Sequence, residues 1–353
     1  MQGNFPLTAM DSGIINSFRK LRQALTADDG VPAVLKSCAE RQHAAFTWFV
    51  PEYCQYSLKA LEHLVSESSL DDFYKRYALR IKCPEKHPRK TAVVSTNQTP
   101  LEIFGDIVLV LLSGDCFYGK AESSTTVFLE AIMELFLKAA PEISGRIEFV
   151  EKIENAEAII ADVTEENEEA FRRYFSKIPA HFRKGRHSAA VIAGNESTEE
   201  LLKLAEDIVT YFGRGRFSVR KLFVPEGYDF SQLFRIISEM NSPLLLHNQY
   251  LNNLEYQKTT CLMAQRPFMD AGAMIFVESE ADSPPTGVVY FEKYRESILS
   301  HKCERLRGRY SRIVASTDTA PGCCPFGMSN MPSASDLLYD ETLKELLFEK
   351  RQK

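Results

Sequence analysis

From Thr91 onward the chain alternates short, continuously apolar stretches with amphipathic ones, and this alternation restricts the fold more than any other feature. TAVVS, CFYGKA, RIEFVE, AEAIIAD and HSAAVIAG read as strands. LEIFGDIVLVLLSG (closed by Gly114), STTVFLEAIMELFLKAA and residues 165–177 read as the helices between them. A strand that is apolar at every position has to be covered on both faces, which predicts an α/β fold built on doubly wound parallel sheets. In such sheets ligands bind beyond the carboxyl ends of the strands. The loops after Ser95, Lys120, Asp162 and Gly194 are therefore the places to look for function.

A second α/β unit begins at Ser197, which forms a capping box with Glu200. Leu201, Leu204, Ala205, Ile208 and Phe212 follow at helical spacing, and Gly213 sits where a helix ends. A helix over residues 229–240, strands around AMIFVE and GVVYFEKY, and a helix near the C-terminus complete the unit. Ahead of the alternation, residues 12–80 read as helical, with Pro51 in a first turn and Tyr53, Leu58, Leu61 and Leu64 on one face. The loop CPEKHPRK marks a boundary. These signals predict a helical region over 1–90, a Rossmann-like cofactor domain over 91–195, an α/β catalytic-type domain over 196–320, and a C-terminal segment over 321–353 that returns to the interdomain cleft.

Composition narrows the function class. The 353 residues carry 42 basic and 48 acidic side chains, a net charge of −6, whereas general nucleic-acid binders need surplus Lys and Arg. No stretch approaches the ~18 apolar residues of a membrane span, and the N-terminus has no basic and apolar leader pattern, so a cytoplasmic protein is expected. Eight scattered cysteines without a C-x-x-C pair, and seven histidines without an H-x-x-x-H pair, predict reduced thiols and no metal site.

The loops hold few catalytic signatures. No G-x-G-x-x-G follows the first strand, where TNQTP stands instead, and GRGRFSVRK lacks the G-K-[ST] of a phosphate loop. Asn97, in TNQTP, has an amide able to donate to an oxyanion, or is simply a turn residue before Thr99-Pro100. Lys120 ends a buried strand, where it either reaches a ligand or snorkels to water. Arg172, Arg173, Lys177, His181, Arg183, Lys184, Arg186 and His187 form a dense basic cluster, read as a solvated face or as a seat for a phosphate-bearing ligand.

A longer set of segments resembles one family. WFVPE, STNQTPLE, LVLLSGDCFYGKAESS, GRIEFVE, AIIAD, HFRKGRHSAAVIAGNES, EDIVTYFGRG, RKLFVPEGYDF, LLHNQYLNNLEY and CPFGMSN lie in the order and spacing of the bacterial acyl-CoA reductases. These are related to the fatty-acid reductase of luminous bacteria, the closest look being to short Bacteroidetes forms, and are remote members of the aldehyde dehydrogenase superfamily. The resemblance runs from Trp48 to Phe348. It implies attack of a cysteine thiolate on an acyl-CoA, collapse to an acyl-enzyme, and hydride donation from NADPH to release an aldehyde.

Carried over residue by residue, the resemblance gives Asn97 as oxyanion donor and Thr96, Lys120, Ser123, Thr164 and Phe326 as cofactor contacts, Phe326 within a Pro-Phe-Gly segment. It also exposes two departures. Relatives follow the glycine-x-glycine of YFGRG with the nucleophilic cysteine, and here that position is Arg216. A guanidinium stays protonated and cannot attack a thioester. Relatives carry a threonine-glycine-serine turn after the fourth strand. Here ADVTEEN keeps only Thr164 and adds Asp162, Glu165 and Glu166, which repel a pyrophosphate. The expectation is a catalytically impaired member retaining acyl-CoA or nucleotide binding, partnered by an active paralogue or a lipid-pathway protein, with a homodimer possible from the superfamily's habit. The alternative is an active reductase using Cys116, Cys261 or the vicinal Cys323–Cys324 pair.

Overall fold

The computed structural model describes residues 11–27, 31–77, 88–185, 187–240, 243–295, 299–306, 308–316 and 323–348. The chain divides into two compact units, residues 1–184 with 332–353, and residues 185–331.

The first unit opens with helices α1 (Asp11–Leu25), α2 (Val31–Ala45), α3 (Pro51–Leu64) and α4 (Glu67–Tyr77). Pro51 occupies the first turn of α3, where its missing N–H leaves no bond unmade, and Tyr53, Leu61 and Leu64 are buried. Residues 83–87 of the expected boundary loop CPEKHPRK lie outside the described residues. The chain continues through β1 (Lys90–Val94), α5 (Glu102–Leu112), β2 (Cys116–Lys120), α6 (Val127–Ala139), β3 (Ile147–Phe149), β4 (Ala158–Val163), α7 (Glu168–Tyr174) and β5 (Ala180–Lys184). The strands form one sheet in the order β3-β2-β1-β4-β5, every pair parallel. Each residue of α5 from Ile103 to Leu112 is buried, because the helix packs against the sheet on one side and against α1 and α3 on the other. A buried helix of this kind needs apolar residues all round, which is what EIFGDIVLVLL supplies apart from Glu102 and Asp106.

The second unit contains β6 (Ser188–Val191), α8 (Thr198–Val209), β7 (Val219–Pro225), α9 (Ser231–Glu239), α10 (Asn248–Met263), β8 (Met269–Asp270), β9 (Ile275–Glu278), β10 (Val288–Tyr294), α11 (Leu299–Leu306) and β11 (Ile313–Val314). Its sheet runs β11-β6-β7-β10-β9-β8, parallel except for the β8–β9 edge pair. Ser197 caps α8 with both halves of the capping box made.

HSAAVIAG, expected as the fifth strand of the first sheet, is therefore β6 of the second. The fifth strand of the first sheet is β5, AHFRK, whose residues alternate between exposed and covered. An edge strand covered on one side alternates in polarity, so it lacks the apolar run by which the inner strands are recognised.

The C-terminal helix α12 (Glu341–Phe348) returns to the first unit. Arg89 Nη2 donates to the Leu346 carbonyl at 2.9 Å, and the Phe348 ring stacks on Tyr77 at 5.6 Å. The Ala334 N–H donates to Ser69 Oγ at 2.8 Å. Among the described residues no helix is long and apolar enough to cross a membrane.

Candidate functional site

The order of the first sheet reverses between β1 and β4, so its ligand crevice is expected at the carboxyl ends of those two strands. Thr96 and Asn97 follow β1, Lys120 ends β2, Ser123 opens the short turn after β2, and Thr164 follows β4. All five lie at one sheet edge. Asn97 is buried with φ 45°, a left-handed conformation that asparagine tolerates better than most residues.

Hydrogen bonding defines what Asn97 offers. Its Nδ2 donates to Thr125 Oγ1 at 3.0 Å, while the Thr125 hydroxyl donates to the Glu122 carbonyl at 2.8 Å. The threonine proton is thus committed, which fixes the amide orientation and leaves Oδ1 as a buried acceptor with no hydrogen bond. One amide proton of Asn97 is already used within the unit. Lys120 and Ser123 are exposed at the end of β2 and are open to a ligand.

Acidic groups dominate the β1–β4 position. The Thr96 N–H, a natural donor to a phosphate, donates instead to Asp162 Oδ2 at 3.0 Å. Asp162 Oδ1 lies 2.7 Å from Arg183 Nε, and Arg183 forks onto both oxygens of Asp106 at 2.6 and 3.0 Å. Burial works against the Arg183 charge, but Asp106 and Asp162 outweigh it and hold the guanidinium protonated well above its ordinary range. The Thr164 N–H donates to Asn167 Oδ1 at 2.8 Å. Glu166 is held below the usual carboxylate range, first by a hydrogen bond from Thr164.

Among the described residues the basic cluster is divided between separate partners. Arg172 and Lys184 both pair with Glu168, Arg173 with Glu169, and His181 Nδ1 meets Thr342 Oγ1 at 2.8 Å. Arg183 is buried between two carboxylates, His187 belongs to the second unit, and Arg186 lies outside the described residues. Spacing alone could not show that residues crowded along the chain point to different partners.

In the second unit, the segment bearing Arg216 joins α8 to β7 through an unusual kink. Tyr211, Phe212 and Gly213 have φ of 59°, 58° and 65°, three consecutive left-handed residues of which two are bulky. Each non-glycine residue in that region costs roughly 1–3 kcal/mol and persists only where surroundings impose it. Here the Phe212 ring is held against His247 at 4.7 Å and Tyr250 at 5.4 Å. The Ser218 N–H then closes a turn on the Gly215 carbonyl at 3.0 Å, with Arg216 inside it. Arg216 is half-buried, and its Nη2 is out of contact with solvent.

The Pro325-Phe326-Gly327 segment lies beside this turn. Ser329 Oγ donates to the Phe217 carbonyl at 2.5 Å, and Ser218 Oγ approaches Asn330 Oδ1 at 3.3 Å. Asp207, fully buried on α8, accepts the N–H groups of Gly327 and Ser329 at 2.7 and 2.9 Å. Burial pushes the Asp207 carboxyl up to about 7, against the pull of those two N–H groups. The residues that follow Arg216 and those that follow Phe326 are thus bonded to one another within one unit. The clamp residue was readable in retrospect: Asp207 falls three residues after Leu204, on the apolar face of an amphipathic helix.

The amino ends of β6, β7 and β11 add features with no counterpart in the sequence motifs. His187 is 2% exposed, and neither ring nitrogen completes a hydrogen bond, although the Gly185 backbone approaches. Burial, then the charge of Arg220, pushes the imidazole down to about 3, so it is neutral. Lys221, fully buried, donates to the Ser279 and Ala281 carbonyls and pairs with Glu292 at 3.2 Å. Tyr310 donates to Asp282 at 2.5 Å.

Of the cysteines, Cys54 is raised to about 12 by burial, then by Glu52, and is inert. Cys261 and Cys303 are buried. Cys323 and Cys324 are half-buried, and Cys324 bridges to Val314 of β11 five residues before Ser329.

No protein-family model matches the sequence, and no curated protein matches it. Solved structures match the fold. Succinic semialdehyde dehydrogenase from Streptococcus pyogenes, in complex with NADP+ as the cofactor, superimposes with TM-score 0.58 at 11% identity over 88% of this chain and 77% of that one. Aldehyde dehydrogenase 21 from Physcomitrella patens, in complex with succinate, gives 0.56 at 11% identity over 87% and 74%. NADP-dependent glyceraldehyde-3-phosphate dehydrogenase from Bacillus halodurans C-125, complexed with NADP, gives 0.54 at 12% identity over 86% and 75%. The fold is that of the aldehyde dehydrogenases.

Proposed function

We propose that this chain is a catalytically impaired relative of the acyl-CoA reductases, retaining an aldehyde-dehydrogenase-type scaffold and binding an acyl thioester or a nucleotide without reducing the thioester. The observation that carries this reading is Arg216, held in the turn where the resemblance calls for a cysteine nucleophile. A guanidinium is protonated at every usable pH and forms no acyl-enzyme.

Lys120 and Ser123 suit the adenosine side of NADPH, the cofactor type seen in two of the structural neighbours. The pyrophosphate position fits poorly. Its backbone donor at Thr96 is spent on Asp162, and Glu165 and Glu166 lie exposed beside Thr164. We therefore expect weak NADPH binding and assign no hydride step.

A second reading, an active NADPH-dependent reductase giving a fatty aldehyde, draws on Cys323 and Cys324, which lie on the segment bonded to the Arg216 turn. Incubation of the full chain with a long-chain acyl-CoA, followed by intact-mass measurement, separates the two. An unchanged mass is expected, and a stoichiometric acyl adduct on a cysteine would overturn the impaired reading. Arg216→Cys is expected to acquire such an adduct, with the unmodified protein as control.

A further inference from the structure

Two cysteines of the second unit fall on one face of its sheet. Residues 323 and 324 run beside β11. The Cys324 N–H donates to the Ile313 carbonyl and the Ala315 N–H donates to the Cys324 carbonyl, each at 3.0 Å, in a parallel bridge that sets Cys324 opposite Val314. Side chains alternate between the two faces of an extended chain. Cys323 therefore shares the face of Ile313 and Ala315, and Cys324 shares the face of Val314. The packing agrees, because Cys323 lies against the buried cluster that contains Ile313 and Ala315.

Cys303 belongs to that same cluster. It is 1% exposed on α11, and Leu306, three residues on along the same helix face, is buried in the cluster with it. Helix α11 and the segment leading into Pro325-Phe326-Gly327 thus each place a thiol in one packed layer. Neither cysteine is in a disulfide. Cys323 is only half-buried, so of the two it is the one a dissolved reagent reaches first.

From this we propose that Cys303 and Cys323 are a redox pair, closed to a disulfide by a peroxide. The Cys323 thiolate attacks one peroxide oxygen and the O–O bond breaks. The released hydroxide takes up the thiol proton as water, and Cys323 is left as a sulfenic acid. The Cys303 sulfur then attacks the sulfenic sulfur, so that an S–S bond forms and the S–O bond breaks. The hydroxyl leaves as a second water with the Cys303 proton. Two thiols have been oxidised and one peroxide reduced.

The vicinal alternative, Cys323 with Cys324, fits the backbone poorly. Adjacent Cα atoms are about 3.8 Å apart, whereas disulfides bridge Cα atoms about 4.4–6.8 Å apart. Turning the two side chains to one face would also pull Cys324 out of its two bonds to β11. A link to Cys303 leaves those bonds in place. It ties α11 to the segment that Asp207 and Phe217 hold farther along, and it leaves Cys324 as a thiol. The pair does not depend on acyl-CoA or nucleotide binding.

The test is treatment of the full chain with hydrogen peroxide, blocking of remaining thiols with N-ethylmaleimide, and peptide mapping by mass without reductant. A peptide linking Cys303 to Cys323 is expected, with an intact mass lower by two hydrogens, restored by dithiothreitol. The oxidised protein should also melt at a higher temperature than the reduced one. Cys324→Ser should form the same link. Cys303→Ser should stop at the sulfenic acid and give a dimedone adduct on Cys323 that the parent gives only weakly. If Cys303→Ser does not fold, Cys323→Ser carries the test, and Cys303 should then stay a thiol under the same peroxide. A link between Cys323 and Cys324, or recovery of both Cys303 and Cys323 as maleimide adducts after peroxide, overturns the proposal.

Discussion

The first unit's sheet edge and the second unit's kinked turn handle charge in opposite ways. At the carboxyl ends of β1 and β4 an extra carboxylate, Asp162, is absorbed into a closed set of bonds with Arg183, Asp106 and the Thr96 N–H. At the amino ends of β6, β7 and β11, the Ser188 and Ser311 hydroxyls and the His187 imidazole are buried near Arg220 and make no hydrogen bond among the described residues. The closed set behaves as structure, because each member's removal strands another. The second set is open at its neutral atoms, the Ser188 and Ser311 hydroxyls and the His187 ring nitrogens, whose burial no bond among the described residues offsets. Both depart from the pattern the resemblance predicts, so departure from a family motif does not itself reveal whether a position has become scaffold or has taken a new ligand.

The sharpest way to break this contrast is to open the closed set. Arg183→Met leaves Asp106 buried without its bidentate partner, and it deprives Asp162 of its cation as well. Breaking one partner out of a buried ion pair costs about 3–5 kcal/mol, since the stranded charge stays desolvated. Urea unfolding should show a loss of that size. Arg183→Met combined with Asp106→Leu should recover most of it, because an apolar pair of similar volume is tolerated where a lone charge is not. A near-neutral single variant would mean that the network is not structural, and the comparison would fail.

The second unit offers a test through pH. Asp207 is raised from 3.8 to about 7, so between those values the folded protein holds a proton that the unfolded chain does not. The stability this adds is complete below pH 3.8 and is lost as pH rises through about 7, on the order of 4 kcal/mol in all. His187 acts in the opposite sense. Lowered from 6.5 to about 3, it contributes stability that is present above pH 6.5 and lost as pH falls toward 3. The two slopes oppose one another between pH 4 and 6.5. Asp207→Asn should cost about 1–3 kcal/mol near neutrality, because an amide cannot accept both the Gly327 and Ser329 N–H groups. It should also unmask a steeper acid loss than the parent shows. Unfolding free energies measured from pH 4 to 7 check both, and parallel curves for parent and variant would remove Asp207 as a titrating group.

Much of this architecture was legible beforehand. Continuous apolar runs identified β1, β2, β4, β6 and β10, and the capping box located the start of α8 at Ser197. Strand β5 escaped because an edge strand alternates in polarity, and with it went the assignment of HSAAVIAG to the first sheet. The candidate residues Thr96, Asn97, Lys120, Ser123 and Thr164 do converge on one edge, since parallel order forces successive strand ends together. What the sequence concealed was pairing. Arg183 and Arg172 look alike in a basic run, yet one is buried between two aspartates and the other lies on an exposed helix face with Glu168. Ser311 was concealed from His187 and Ser188 for the same reason: it lies far from them in sequence, and only the pairing of β11 with β6 makes them neighbours.

The smallest effect probes the kink itself. Gly213 has φ 65°, and a Cβ there would meet the Ile208 carbonyl oxygen at 3.3 Å, closer than most such contacts. Gly213→Ala therefore combines a left-handed penalty with a slight clash, offset in part by the lower entropy of the unfolded alanine chain, for a net cost of about 1 kcal/mol. Tyr211 and Phe212 already occupy the same region at comparable penalty, which shows that the packing of Phe212 against His247 and Tyr250 can impose it. Urea denaturation of parent and variant measures the loss. An unchanged unfolding midpoint would mean that the kink accepts a Cβ at Gly213 without strain and that Phe212 packing alone holds it.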